Sequence, residues 1–329
     1  MEKQGLNFIS NSNQGLYCKS GNIWIDPIKP VKNALISHAH FDHVSLGCSQ
    51  YICSHETKFL LYERLGKNIN IKSYDYEENF KINGINISFH PSGHIFGSSQ
   101  IKFEAGGEKW LITGDFKRQK DSTCKAYSKL KADILICEST FALPIFNWEC
   151  SSKIVNDIYK WIIESEDKTC ILFCYSLGKA QRILNEIKDK NLKEIYTHKN
   201  IYKINHIYRK LGVNLPETIS LDLDKNIENL KGKLLLLPPS LNNKNFLKKF
   251  KNIQTGFASG WMSIRAQKKR GGYDKGFAIS DHADWNGLIK TVKDSKAKII
   301  IFNHGDSSSI EKYLKTVENS NIGSLKNMQ

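Results

Sequence analysis

The sequence predicts an α/β (α+β) protein in which a discontinuous, strand-rich domain is interrupted by an inserted domain of alternating strands and helices. Three observations predict it. Short runs that alternate apolar and polar residues fill the first 140 residues, the period of half-buried strands. From about residue 148 the apolar residues take up helical spacing and then alternate with strand-like runs, the pattern of βαβ units. The remainder returns to strands.

In order, the strand-like segments are residues 22–25, 33–37, 50–53, 85–90, 100–103, 109–113 and 134–137. Residues 148–163 read as an amphipathic helix, 169–175 as a buried strand and 178–188 as a second helix, and strand and helix signals continue to about residue 251. Residues 276–279 and 297–302 read as strands on either side of a helix over 285–292. No internal repeat or low-complexity linker is present. The first domain is therefore expected at 1–147 and 276–329, and the insertion at 148–275.

The 329 residues are 40% hydrophobic and 25% charged, with a formal net charge of +15. Apolar runs such as 233–238 and 298–302 fall far short of the ~20 residues that a membrane span needs. Residues 1–13 lack the apolar stretch of a secretory signal, so a cytoplasmic protein with no membrane partner is expected. The eight cysteines are scattered, with no C-x-x-C pair, and read as free thiols.

The charge is unevenly placed. Residues 148–275 carry 24 Lys or Arg against 13 Asp or Glu, and within them 229–275 hold eleven basic residues and one acid, Asp274. That run contains Lys244, Lys248, Lys249, Lys251, Arg265, Lys268, Lys269 and Arg270, interleaved with Phe246, Phe250, Phe257, Trp261 and Tyr273. It reads either as a solvated lysine-rich face or as a phosphate-tracking groove with rings for base stacking.

The chemistry concentrates in Ser37-His38-Ala39-His40-Phe41-Asp42-His43, directly after a predicted strand. In an extended segment His38 and His40 point to the same side, so both imidazoles can converge on one ion. Asp42 and His43 follow as the chain turns away, close enough to serve a second ion. Imidazole and carboxylate donors suit zinc first, then iron or manganese. Further donors stand at other strand ends or turns: His94 in Ser92-Gly93-His94, Asp115 in Thr113-Gly114-Asp115, and His304 in Asn303-His304-Gly305. His282 falls at a similar junction.

These motifs resemble the metallo-β-lactamase superfamily, an αββα sandwich with a dinuclear metal site at its edge. Glu138-Ser139-Thr140-Phe141, Ser280-Asp281-His282-Ala283-Asp284 and His304-Gly305 are similar to the three extra motifs of its β-CASP nucleases, in which a second domain is inserted into the core. Softer motifs, among them Ile25-Asp26-Pro27, Tyr175-Ser176-Leu177-Gly178-Lys179 and Phe257-Ala258-Ser259-Gly260-Trp261-Met262, resemble the bacterial ligase-associated DNA exonucleases.

The resemblance implies that His38, His40, His94 and Asp115 hold one divalent metal and that Asp42, His43, His304 and the shared Asp115 hold the other. Zinc is the expected metal, with manganese the alternative. Such a pair would activate water and clamp a phosphate, which makes Asp42 part of the catalytic group. His282 is then the expected general acid, since imidazole titrates near neutral pH. Glu138 would orient it. The lesser alternative is that Asp281 and Asp284 make the segment a plain helix cap.

Ser176 and Lys179 sit where a strand meets a helix, a place that suits a phosphate or a simple cap; Arg265, Lys268, Lys269 and Arg270 are candidate backbone contacts. The expected activity is a DNA exonuclease acting on single strands in repair, alongside a ligase and helicase. The alternative is a ribonuclease, because the RNA-processing β-CASP enzymes carry a histidine at the position of His304.

Overall fold

The computed structural model describes residues 8–190, 192, 194–222, 230–264 and 271–324. The chain divides into two compact units, Met1–Asn147 with His282–Gln329, and Trp148–Asp281.

The first unit holds two six-stranded sheets. The first comprises β1 (Ile9–Ser12), β2 (Gly15–Cys18), β3 (Ile23–Ile25), β4 (Asn33–Leu35), β5 (Gln50–Ser54) and β6 (Ile71–Tyr74), side by side in that order. The second comprises β7 (Asn79–Ile82), β8 (Ile85–Pro91), β9 (Ser99–Ala105), β10 (Glu108–Ile112), β11 (Ile134–Glu138) and β18 (Ile299–Asn303), in the order β18-β11-β10-β9-β8-β7. Alternation along each strand sends one set of side chains inward. Ile23, Ile25, Leu35 and Ile52 from the first sheet meet Phe89, Phe103, Trp110 and Ile136 from the second in one buried cluster. Burial of this kind contributes ~25 cal/mol for each Å² of apolar surface removed from water, and it is what holds the sheets face to face.

The outer faces are covered by helices. Helix α1 (His55–Leu65) buries Thr57, Leu60 and Leu61 and packs against β5 and β6. Its N-cap is Ser54, whose Oγ accepts from Thr57 N at 3.2 Å. On the second sheet, Leu111, Leu135 and Ile300 pack against Leu288 and Val292 of α6 (Trp285–Ser295) and Ile310 and Leu314 of α7 (Ser308–Val317). The result is αββα. Strands β10, β11 and β18 run parallel, so the loops that follow them leave from the same edge.

The second unit is a wholly parallel sheet of β12 (Thr169–Phe173), β13 (Ile195–Thr197), β14 (Ile219–Ser220), β15 (Leu234–Leu237), β16 (Ile253–Ala258) and β17 (Lys275–Phe277), in the order β14-β13-β15-β12-β16-β17. Helix α2 (Ser151–Ile163) leads into β12, and α3 (Lys179–Ile187), α4 (Lys199–Lys210) and α5 (Lys244–Leu247) lie between later strands. The central strands are buried throughout, as parallel strands covered on both faces must be.

Three expectations change here. The strand near 276 was expected to begin the return to the first domain, but it pairs with β16 and completes the edge of the second sheet, which moves the boundary to residue 281. Phe246 and Phe250, read as possible stacking rings, are buried in the core with Phe173 and Leu235, and Phe257 stacks on Tyr273 at 4.8 Å. Trp261 is 39% exposed. Lys179, expected to meet a phosphate, is 2% exposed. Its Nζ donates to the Ile279 carbonyl at 2.8 Å and lies 3.0 Å from Asp281 Oδ2.

Arg182, 1% exposed, joins the same group through the Ser280 carbonyl at 2.6 Å and Asp281 Oδ1 at 3.4 Å. Two buried cations therefore share one carboxylate, although Arg182 also reaches Glu186 Oε1 at 3.2 Å, and removing Asp281 takes a charged partner from both. Asp281→Ala is expected to lower stability by about 3–5 kcal/mol, read as a fall in the urea unfolding midpoint at constant slope.

Candidate metal centre

The donors predicted from sequence stand at one edge of the first unit because each follows a strand that ends there. His38 and His40 follow β4, and Phe41–His43 form a single 3-10 turn that swings Asp42 and His43 away from the strand direction. His94 lies in the turn between β8 and β9, Asp115 follows β10, Glu138 ends β11 and His304 follows β18. His282 precedes α6, whose N-cap is Asp284, accepting from Gly287 N at 2.7 Å. The helix thus has its own cap and leaves the His282 ring to other work.

Gly114 explains how two of these strand ends approach. Its φ is +53°, and a Cβ there would lie 2.8 Å from the Ser37 Cβ. No side chain fits between the residue before His38 and the residue before Asp115. The turn bearing His94 is tied to the same place, since Ser92 Oγ donates to the Asp115 carbonyl at 2.8 Å and Lys117 N to the Ser92 carbonyl at 3.0 Å.

Four ligand atoms converge. His40 Nδ1 is 3.0 Å from His38 Nε2 and 3.1 Å from His94 Nε2, while Asp115 Oδ2 is 3.5 Å from His38 Nε2 and 3.7 Å from His94 Nε2. A four-coordinate ion with bonds of about 2.0–2.1 Å places its ligand atoms about 3.3 Å apart. The observed separations straddle that value. Three ring nitrogens facing one point also cannot all be satisfied by the protons that neutral imidazoles carry, whereas a cation satisfies them together. His38, His40, His94 and Asp115 therefore fit a divalent metal ion.

The electrostatics agree. Burial holds His38 well below its usual pKa, reinforced by the neighbouring His43, so the ring is a neutral donor. Burial opposes ionisation of Asp115, yet His43 and His282 outweigh it and keep the carboxyl well below the usual range. His43 resists the effect of its own burial because Asp115 and Asp26 raise it well above the ordinary histidine value.

The second expected set is looser. His43 Nε2 is 3.4 Å from Asp115 Oδ2 and 4.0 Å from Asp42 Oδ2, and the exposed His304 stacks on His43 at 4.7 Å. Asp42 is 75% exposed and joins none of the compact donor groups among the described residues; neither does His304. A compact donor group instead joins His38 and His43 to Asp26, a residue with no predicted role. Asp26 Oδ2 lies 2.8 Å from His43 Nδ1, and its carboxylate accepts from Ser37 N at 2.7 Å and Ser37 Oγ at 2.6 Å. It fixes the His43 ring from behind. Its signal in the sequence is an aspartate between a strand and a proline, held here at a φ of +45°.

Glu138 and His282 meet as expected: His282 Nδ1 is 2.9 Å from Glu138 Oε2. The carboxylate is itself fixed, accepting from Phe116 N at 2.7 Å and from Thr140 Oγ1 at 2.5 Å. His282 Nδ1 is 4.0 Å from Asp115 Oδ2, so the pair borders the ligand group. A cavity of about 200 Å³ opens beside it, lined by Asp26, His43, Glu138 and His304 among others.

The expected substrate contacts fare differently. Lys179 is buried as described above. Ser176 is half-buried in the turn before α3, next to the exposed Tyr175. It does not cap that helix: the N-cap is Gly178, whose N–H donates to Gln181 Oε1 at 2.8 Å. Arg265, Lys268, Lys269 and Arg270 lie outside the described residues. All eight cysteines are free thiols. Among the described residues no helix is long and apolar enough to cross a membrane.

No family model matches the chain. The Probable DNA ligase of Opitutus terrae is 28% identical over 306 residues, covering 92% of this chain and 29% of that protein. Endoribonuclease YSH1 of Yarrowia lipolytica is 32% identical over 120 residues, 35% of this chain and 14% of the relative. RNase aCSPSF2 of Saccharolobus solfataricus is 25% identical over 193 residues, 49% and 39% of the two chains. The chain thus spans well under half the length of these relatives. A crystal structure of a protein of unknown function from Enterococcus faecalis V583 shares the fold, with a TM-score of 0.62 and 12% identity over 88% of this chain and 78% of that one.

Chelator-stripped protein is expected to gain thermal stability when zinc or manganese is returned, by about 2.7 kcal/mol at a hundred times the dissociation constant. Asp115→Ala should show no such gain in differential scanning fluorimetry.

Proposed function

Starting from a chain that belongs to the β-CASP group of the metallo-β-lactamase superfamily, we propose that it is a metal-dependent phosphodiesterase that shortens single-stranded DNA from an end. The observation that carries the reading is the Glu138–His282 pair at the border of the His38, His40, His94 and Asp115 group. Metal binding alone requires no such pair. Cleaving a phosphodiester gains from one, because the departing oxygen takes up a proton.

Divalent metal ions, zinc first, would supply a water of lowered pKa and positive charge against the phosphate oxygens. The protein's own groups do the rest. His38, His40, His94 and Asp115 hold the first ion, and His43, oriented by Asp26, stands toward a second position with Asp42 and His304 at its margin. Glu138 fixes the His282 ring through Nδ1 and stabilises its protonated form, so that Nε2 delivers the proton to the leaving oxygen. Phe116 N and Thr140 Oγ1 hold Glu138 to one geometry, the condition for efficient transfer.

DNA is favoured by the relative matched along 92% of this chain, which is described as a ligase; a repair role beside a ligase and helicase is proposed with it. The second reading is a ribonuclease. It is supported by His304 and by the shorter matches to proteins described as endoribonucleases. Arg265, Lys268, Lys269 and Arg270 are the proposed backbone contacts in either case.

End-labelled single-stranded DNA and RNA of matched sequence separate the two, with Asp115→Ala as control. A ladder shortening from one end of the DNA is expected; cutting of RNA with DNA left intact overturns the preferred reading. His282→Ala should lower turnover by about 10²–10⁴-fold while the metal-induced rise in melting temperature persists. Loss of that rise would make His282 a ligand instead.

A further inference from the structure

Phe41 stands between His40 and Asp42, yet nothing in the reading above uses it. Its side chain is 64% exposed. A single exposed apolar residue is ordinary on a protein surface and by that fact means little. Two further observations set this ring apart. The guanidinium of Arg64, in the last turn of α1, lies 3.6 Å from the ring centroid and covers one face. Arg64 is fixed in turn, because its Nη1 donates to the carbonyl of Ala39, the residue between the two paired histidines.

The ring is therefore held in one plane. It is braced by a cation that is anchored to the backbone of the metal motif, while the residue remains 64% exposed. The 3-10 turn that carries it is closed by His43 N donating to the His40 carbonyl at 3.2 Å, so its place relative to the ligand group is set as well. A flat, rigid, solvent-facing ring beside a phosphodiester-cutting centre suits a flat heterocycle. Of the stacking rings expected in the inserted domain, Phe246 and Phe250 are buried, while Trp261 is 39% exposed.

We propose that Phe41, braced by Arg64, is the stacking platform for a nucleobase next to the phosphodiester that is cut. The inference rests on the nuclease reading and adds the residue that holds the base. A base lying on Phe41 has left any duplex stack, so the nucleotide taken is unpaired. Stacking on a phenyl face reads no base edge, so all four bases are accepted.

The test compares two single-stranded oligonucleotides, one normal and one with abasic residues at the last four positions of each end. Cleavage is followed on a gel and binding by fluorescence anisotropy. Wild-type protein should show a KM and Kd roughly tenfold higher for the abasic strand, in line with the usual effect of removing one stacked base. Phe41→Ala should lose the distinction, treating both strands as the wild type treats the abasic one, with the loss falling on KM; Phe41→Trp should retain it. The metal-induced melting shift serves as a check that Phe41→Ala is folded and loaded. If Phe41→Ala still discriminates, or the wild type does not, stacking on Phe41 is overturned while the nuclease reading stands. If wild-type protein neither binds nor cuts either strand, both fall together.

Discussion

One buried carboxylate organises the centre. Asp115, 5% exposed, has a single oxygen within 4.0 Å of His38, His43, His94 and His282, which arrive from three different parts of the chain. A lone carboxylate at that depth is costly unless positive charge or donors surround it. The imidazoles supply both, and their need for the carboxylate is mutual. His43 is driven toward its protonated form by Asp115 and Asp26 together. A divalent cation held by these residues would supply positive charge to the same carboxylate that a proton on His43 supplies now.

The surrounding chain follows from that convergence. Gly114 allows the end of β10 to come against Ser37, the Ser92 turn is bonded to the Asp115 carbonyl, and Glu138 reaches across to the N–H of Phe116. Each link is a backbone or short side-chain contact between neighbouring strand ends. The large cluster between the two sheets holds those strands in place, and the edge of the sandwich inherits its rigidity.

Much of the site was legible because its donors are close in sequence or share a local context. His38, His40, Asp42 and His43 announce themselves by spacing, and His94, Asp115 and His304 by a glycine turn at a predicted strand end. Asp26 was not legible as an orienting group, since its partners lie 11 and 17 residues away and the link exists only in the folded chain. Among the elements, β1 and β2 have four residues each, too short for alternation to stand out. Helix α1 escaped because Phe59, Leu60, Leu61 and Tyr62 are consecutive rather than spaced at three and four. The aromatic rings among the lysines of the insertion misled for a related reason. Phe246 and Phe250 are four apart, the spacing that turns both toward a core and leaves intervening lysines in water.

The pairing of β11 with β18 joins residues 134 and 299, and the Glu138–His282 contact spans 144 positions. Contacts of such separation are slow to form and stay unmade until both partners have been synthesised. During translation His38 to Asp115 are made early, but His282 arrives only after the whole intervening domain has been synthesised. The order of synthesis therefore withholds the Glu138–His282 contact until the inserted domain is complete.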